Sequence, residues 1–151
     1  MIAHGDAEIF QAFSAVESET SGIHVYDFVG TKTRVAFRKG WESHALSEGR
    51  RVVPRLPPKN EHYLDWVTLL QAVDRADGVF RMAELGAGWG PWLVRGAFAA
   101  RQRANIIRVE LVGVEADPVH FTWMRQHFSD NGLDPDQHTL LNGAVAAESG
   151  L

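Results

Sequence analysis

One stretch, residues 80–92, constrains the fold of this chain more than any other. It reads Phe-Arg-Met-Ala-Glu-Leu-Gly-Ala-Gly-Trp-Gly-Pro-Trp, so a short apolar run is followed by three alternating glycines and a proline. Glycines permit positive φ angles and place no Cβ atom between the backbone and a ligand. Pro91 suits the first position of a helix, where no amide hydrogen is needed. The stretch therefore predicts a buried strand, a tight turn and a helix start that together form a nucleotide-type cradle.

The charge of Glu84 narrows the choice of ligand for this cradle. A carboxylate at the strand end would repel a pyrophosphate on the following helix and would suit a cationic ligand better. The dinucleotide fingerprint G-x-G-x-x-G needs a small third residue, but counting from Gly86 that position holds Pro91, which disfavours NAD. S-adenosylmethionine (SAM) carries an ammonium and a sulfonium group without phosphate, and so matches E-x-G-x-G-x-G. These residues resemble motif I of the Rossmann-like, SAM-dependent methyltransferases.

A second acidic residue, Glu115, ends the next predicted strand, residues 109–115. In open α/β sheets ligands bind at the C-terminal ends of strands, and a carboxylate there can accept hydrogen bonds from both ribose hydroxyls. The alternative is an acidic residue that simply precedes the helix cap formed by Asp117 and Pro118. The combination of Glu115 with Glu84 and the three glycines favours the ribose-binding interpretation.

Residues 138–141 predict a third strand, after which Asn142 comes within reach of an adenine ring. Its amide can both donate and accept hydrogen bonds, which suits adenine, but an Asn-Gly turn explains it equally well. No catalytic residue is assigned. The candidate cofactor-binding residues are Glu84, Gly86, Ala87, Gly88, Trp89, Gly90, Glu115, Ala116 and Asn142.

The order of elements predicts the fold class α/β. We expect a partial Rossmann-like parallel sheet in the strand order 3-2-1 with helices on both faces, preceded by an N-terminal helix and a β-hairpin. Residues 1–58 would hold that helix, the hairpin and a proline-containing connector, and residues 59–151 the SAM-binding half-domain. In such a sheet Met82 and Val112 lie on adjacent parallel strands.

The N-terminal part is less regular in its pattern. Apolar residues at helical spacing predict a helix over residues 6–17 with Asp6 as its cap. β-branched and aromatic residues predict hairpin strands over 23–29 and 33–37, joined by a turn at 30–32. The pattern dissolves in the connector, residues 40–58.

Two groups in this part could bind a ligand or serve structure alone. Arg50, Arg51 and Arg55 could meet an anionic acceptor, but a solvated loop is the favoured interpretation and they receive no site role. A helix capped by Asn60 and ended by Gly78 carries Tyr63 and Trp66, which could roof the cofactor. Their helical spacing favours a place in the core.

Composition excludes several classes of protein. The chain of 151 residues has no cysteine, so it forms no disulfide or thiolate metal site. A net charge of −4 argues against a nucleic-acid partner. The sequence has neither a leader pattern nor the roughly 20 apolar residues of a membrane span, so a soluble cytoplasmic protein is the default expectation. No H-E-x-x-H or G-x-S-x-G pattern supports a metal centre or a hydrolase.

Several short stretches together resemble an FkbM-type methyltransferase domain over roughly residues 60–147. These stretches are Asn60 to Tyr63, the helix with Trp66, Ala83 to Gly90, Gly113 to Pro118, and Asn142 to Val145. The chain departs from the family at Glu84, where many relatives carry Asp, and at Trp89 and Pro91, which enlarge and stiffen the turn. The resemblance implies SAM as cofactor and O-methylation of a sugar or a small-metabolite hydroxyl.

Two other functions use the same residues. An NAD(P)-dependent oxidoreductase needs the same crevice, and a non-catalytic module would use the fold as an interaction scaffold only.

The sequence stops at Leu151 soon after the third strand, while a doubly wound sheet continues on the other side of the first. We therefore expect a fragment with strand 80–84 as an open edge. Purified 1–151 should aggregate or form a homodimer, bind SAM weakly and transfer no methyl group.

Overall fold

The computed structural model describes residues 8–146, and the first third of this range is mostly irregular. Single 3₁₀ turns cover Glu8–Ala12, Val35–Phe37 and Trp41–His44. Four short strands accompany them: β1 (Ser18–Glu19), β2 (His24–Tyr26), β3 (Lys32–Arg34) and β4 (Arg51–Val52). Strands β2 and β3 form an antiparallel hairpin, and β1 pairs with β4.

The predicted hairpin is confirmed with shorter strands. The predicted length of the N-terminal helix is wrong. Residues 35–37 form a 3₁₀ turn instead of continuing the second hairpin strand. The helix is reduced to one turn because its chain leaves helical geometry at Ser14, whose amide donates to the Gln102 side chain at 2.8 Å and whose carbonyl accepts from it at 3.0 Å. These long-range bonds replace helical ones. Its predicted cap, Asp6, lies outside the described residues.

The remainder of the chain alternates helices and parallel strands. Its elements are α1 (Tyr63–Arg75), β5 (Gly78–Leu85), α2 (Pro91–Ala100), β6 (Ile106–Glu115), α3 (Pro118–Asp130), a 3₁₀ turn (Pro135–Gln137) and β7 (Thr139–Asn142). The sheet order is β5-β6-β7, with Met82 opposite Leu111 and Gly113 opposite Leu140. The predicted parallel sheet in the order 3-2-1 is therefore observed.

Two predicted helix boundaries are wrong. The residue before α1 is His62, and Asn60 instead accepts a hydrogen bond from the His62 amide through Oδ1 at 3.1 Å, an Asx turn one step earlier. Gly78 does not end α1 but begins β5 with a φ of 66°, because the helix already stops at Arg75. By contrast, Asp117 caps α3 as predicted, accepting from the amides of Val119 and His120.

The expectation of helices on both faces of the sheet is not met within residues 8–146. A Cβ atom at Gly96 of α2 would touch Phe80, Met82 and the α1 residue Leu69, and one at Gly113 would touch residues of α2, α3 and β7. All three helices thus lie on the face that Met82 and Gly113 share. For α2 and α3 the reason is topological, since successive right-handed crossovers in one direction place their helices on one side, whereas α1 precedes the sheet and packs against α2. The opposite face presents exposed Arg81, Ala83 and Leu85.

The core lies between this covered face and the helices, and the N-terminal part closes it. Phe10, Phe13, Phe28 and Val29 are buried in the same cluster as Tyr63 and Trp66, so the core interpretation of these two aromatic residues is confirmed. A second cluster joins α2, α3 and β6 around Met124 and Phe128. Among the helices of residues 8–146, none combines the length and apolar character needed to cross a bilayer.

Candidate functional site

The glycine loop after β5 is held by its own backbone and by β6. The amides of Gly86 and Ala87 donate to the carbonyl of Val114 at 2.8 and 2.9 Å. Gly86 and Gly88 have φ angles of 70° and 57°, and a Cβ atom at either would meet no atom within 4 Å. Space is therefore open in front of the loop, and a side chain at either position would fill it.

Trp89 of this loop is anchored in the N-terminal part of the chain. Its ring lies 6.3 Å from that of Phe37 and 6.1 Å from that of Trp41. Its carbonyl accepts a hydrogen bond from Nδ1 of His127 at 3.0 Å, while Nε2 of that ring faces the Thr33 hydroxyl at 3.1 Å. Burial lowers the pKa of His127 to about 4, so a neutral imidazole holds the loop at neutral pH.

Glu84 lies beneath the first turn of α2. Its Oε2 accepts from the Leu93 amide at 3.2 Å, in the place where a capping side chain would act, since Gly90 precedes the helix and has none. Burial raises the pKa of Glu84 to about 7, against the opposing hydrogen bonds from the Leu93 and Trp92 amides and the charge of Arg95. A cation placed beside this carboxyl group would favour its ionised form.

Glu115 ties the glycine loop to the end of the neighbouring strand. Its Oε2 accepts from the Gly88 amide at 2.6 Å, and its Oε1 accepts from the Asp117 amide at 2.8 Å. The hydrogen bond from Asp117 leads the effects that lower the pKa of Glu115, so the group is ionised at neutral pH. Each carboxylate oxygen keeps a second lone pair for a ligand hydroxyl.

Asn142 lies at the end of β7 and faces the same edge. Its amide nitrogen donates to the carbonyls of Glu115 and Ala116 at 2.8 and 3.2 Å, and the Gly143 amide also donates to the Glu115 carbonyl. The side chain therefore links two strand ends and leaves its oxygen as the acceptor for a ligand. Ala116 is exposed beside it.

The structure thus brings most of the predicted residues together at one edge of the sheet. The Glu115 side chain accepts a hydrogen bond from the Gly88 amide, and the Glu115 carbonyl accepts one from the Asn142 side chain. Ala87 is buried behind the loop. Gly90 allows close packing, since a Cβ atom added there would lie 3.1 Å from the Met124 side chain. Glu84 lies apart, on the helix side, where it lines a depression of about 300 Å³ with Trp92.

Sequence reasoning did not single out Trp92 and Arg95. The Arg95 guanidinium lies 4.5 Å from the Trp92 ring centroid and 4.9 Å from that of Trp66, and its Nε donates to Asp27 at 2.9 Å. A spacing of three residues immediately after a glycine motif was the available signal, because it places Trp92 and Arg95 on one face of the helix start. Within residues 8–146 no three His, Asp or Glu side chains are grouped closely enough to hold a metal ion.

The fold and these strand ends define an α/β protein with a glycine loop at the C-terminal edge of a parallel sheet. No family model and no solved structure matches the chain. A protein of Jannaschia sp. (strain CCS1) named "Putative methyltransferase" is 31% identical to it over 96 residues. The matched part is 62% of this chain and 34% of that protein, so the chain spans about a third of the relative's length.

Proposed function

We propose that the chain is a SAM-dependent methyltransferase of the FkbM type with a Rossmann-like fold, acting on a hydroxyl of a sugar or small metabolite. One observation carries the proposal: a glycine loop with open space before it follows the strand that contains Glu84 and is bonded to Glu115 at the end of the neighbouring parallel strand. The name of the Jannaschia relative supports a methyltransferase, and the family type and the acceptor rest on the sequence resemblance.

The residues present suit SAM better than a dinucleotide. The Glu84 carboxyl group at the start of α2 disfavours a pyrophosphate there and suits an ammonium group, whereas Glu115 suits the ribose of either ligand. The open space at Gly86 and Gly88 admits a ligand close to the backbone. The fit therefore favours a cationic nucleoside.

Each part of the site has one task in this proposal. Glu84 pairs with the amino group of the ligand, the loop amides and glycines lie along its amino-acid end, and Glu115 accepts from the ribose hydroxyls. Asn142 meets the adenine through its oxygen. When bound, SAM supplies a methyl group that its sulfonium already activates, so the chain's contribution is alignment and exclusion of competing orientations.

Calorimetric titration with SAM, S-adenosylhomocysteine and NAD tests this assignment. We expect both SAM and its demethylated product to bind, with NAD at least about tenfold weaker. Glu115→Gln should weaken SAM binding by about tenfold or more, because a charge-assisted hydrogen bond contributes about 1.5–3 kcal/mol. Glu110→Gln is the matched control, since Glu110 is on the same strand but pairs with Arg81 and Arg108 on the opposite face.

Tighter binding of NAD than of SAM would contradict the proposal and favour the oxidoreductase. Equal affinities of Glu115→Gln and Glu110→Gln for SAM would show that Glu115 is not part of the site. The non-catalytic scaffold predicts that Gly88→Val, which fills the open space, leaves the biological role of the protein intact.

A further inference from the structure

One cavity lies between the N-terminal part of the chain and the starts of two helices. It has a volume of about 510 Å³, within the range of small-molecule pockets. Three segments enclose it: residues 24–28 of the hairpin, the connector up to Pro58, and the starts of α1 and α2. None of the candidate cofactor-binding residues lines it.

The charged groups around this cavity are mostly basic. Arg55 and Arg95 line it together with the imidazoles of His24, His44 and His62. Asp27 is the one carboxylate in the lining, and in its ion pair with Arg95 the two charges offset each other, which leaves the charge of Arg55 in excess. An anionic ligand is therefore favoured over a neutral or cationic one.

Arg95 is a fixed donor in the lining of the cavity. Two indole rings, those of Trp66 and Trp92, flank its guanidinium, and its Nε is bound to Asp27. Within residues 8–146 its terminal nitrogens have no hydrogen-bond acceptor and are not sealed from solvent. A planar guanidinium held in this way matches a carboxylate or a phosphate, which accept two parallel hydrogen bonds.

The remaining walls are apolar apart from Asn60. They consist otherwise of Val25, Tyr26, Phe28, Leu46, Val52, Leu56, Trp66 and the prolines 54, 57 and 58. Such walls suit a ligand with a ring or another compact apolar body, and a bare inorganic ion would leave most of them unused. The ligand chemistry is therefore that of a small ring-bearing organic acid.

The cavity also adjoins the proposed SAM site. The His62 ring lies 6.1 Å from the Trp92 ring, and Trp92 lines the depression that contains Glu84. Arg95 is within electrostatic range of the Glu84 carboxyl group. The first turn of α2 thus lies between the cavity and the depression that contains Glu84.

We propose that this cavity binds a ring-bearing organic acid whose carboxylate or phosphate pairs with Arg95 and Arg55. Binding of this acid does not depend on the proposed methyltransferase function. Arg55 comes from the connector, so this segment forms part of the proposed acid site and is more than a solvated link.

Calorimetry with benzoate, phenyl phosphate and neutral phenol on the full chain tests the cavity. We expect at least one acid to bind about tenfold or more tightly than phenol, and the stronger of the two identifies the acidic group. Arg55→Gln should weaken that acid about fivefold to tenfold. The matched control is Arg50→Gln, an exposed arginine of the same connector outside the cavity.

Arg55 is exposed, so its substitution leaves the fold intact. Arg95→Lys is a second variant for the same binding measurement, since it keeps the positive charge but loses the planar guanidinium. Equal binding of phenol and the acids, or equal loss in the Arg55 and Arg50 variants, overturns the inference. S-adenosylhomocysteine is titrated into the same samples. Its failure to bind while an Arg55-dependent acid still binds refutes the proposed function and supports the acid site.

Discussion

Single residues at the strand ends have structural and proposed ligand-binding tasks at the same time. Glu115 bonds the Gly88 amide and the amide after Ala116, so its carboxylate shapes the loop that it would share with a ribose. Glu84 supports the amide of Leu93 at the start of α2, but its charged form is disfavoured by burial. A carboxyl group whose ionised form is disfavoured by burial, and which lines a depression, is a candidate for ligand binding, because a bound cation would stabilise the ionised form.

Glu84→Gln should stabilise the protein while it weakens SAM binding. The folded pKa of about 7 lies above the unfolded value of 4.5, so the folded state keeps a proton that the unfolded chain has lost. Stability therefore falls as the pH rises from 4.5 through 7, by about 3 kcal/mol in total. Glutamine has no such charge, and its advantage over wild type should be small at pH 4.5 and reach about 3 kcal/mol at about pH 8.

Urea unfolding at both pH values measures this difference, with Glu110→Gln as the control on the solvent-facing side. A Glu84→Gln variant that is equally destabilised at both pH values would show that the carboxyl group is not strained in the folded state. SAM titration at the higher pH completes the test, since the neutral side chain can no longer pair with an ammonium group.

Among the secondary-structure elements, close contact between the sheet and two helices positions the strand ends. Gly113 faces Glu84 in the register of β5 and β6, and α2, α3 and β7 meet above it. A Cβ atom there would lie 2.6 Å from the sulfur of Met124 and 3.0 and 3.1 Å from methyl carbons of Leu93 and Leu140. The sheet has a glycine at this position because the helices approach too closely for a side chain.

Gly113→Ala should therefore destabilise the protein by about 1–3 kcal/mol, the usual cost of overpacking a filled core. Gly143→Ala is the matched control, because Gly143 lies just beyond β7, has no positive φ, and would have no neighbouring atom within 4 Å of an added Cβ. The midpoints of urea unfolding measure both changes. Equal midpoints for the two variants would mean that α2 and α3 can move away from the sheet at little cost.

Across the molecule as a whole, the N-terminal part is bonded to α3 and through it to the glycine loop. The Asn131 side chain accepts from the Lys32 amide at 2.9 Å and donates to the Lys32 carbonyl at 2.8 Å. Arg34 forms two hydrogen bonds to Asp130, at 2.6 and 2.9 Å. Because Phe37 and Trp41 pack on Trp89, the position of this layer sets the position of the loop.

Asn131→Ala should cost about 1–3 kcal/mol, since it leaves two backbone groups of Lys32 without partners. It should also weaken SAM binding, although Asn131 lies outside the proposed site. Asn105→Ala is the control: its amide bonds the carbonyl of Ala76 at the opposite end of the sheet, so SAM affinity should not change. An Asn131→Ala variant with full SAM affinity would show that the N-terminal part does not position the glycine loop for SAM binding.

Features that depend on neighbouring residues could be predicted from the amino-acid sequence alone. The glycine loop, the helix start at Pro91, the Asp117 cap and the parallel order of three strands all follow from local conformational preferences and from the handedness of crossovers. The candidate residues of the strand ends could be identified for the same reason, since parallel strands end at one edge.

Groups that meet across long separations were brought together by tertiary packing, and no local pattern foretold them. Packing placed three helices on one face, bonded Glu115 to a loop 27 positions earlier, and turned Arg55 and Arg95 towards one cavity. Arg55 has no local pattern that distinguishes it from a solvated charge, and the spacing of Arg95 from Trp92 does not by itself indicate the cavity. Their environment comes from the packing of the hairpin and the connector against two helix starts, and that packing depends on the shape of the whole core rather than on any short stretch of sequence.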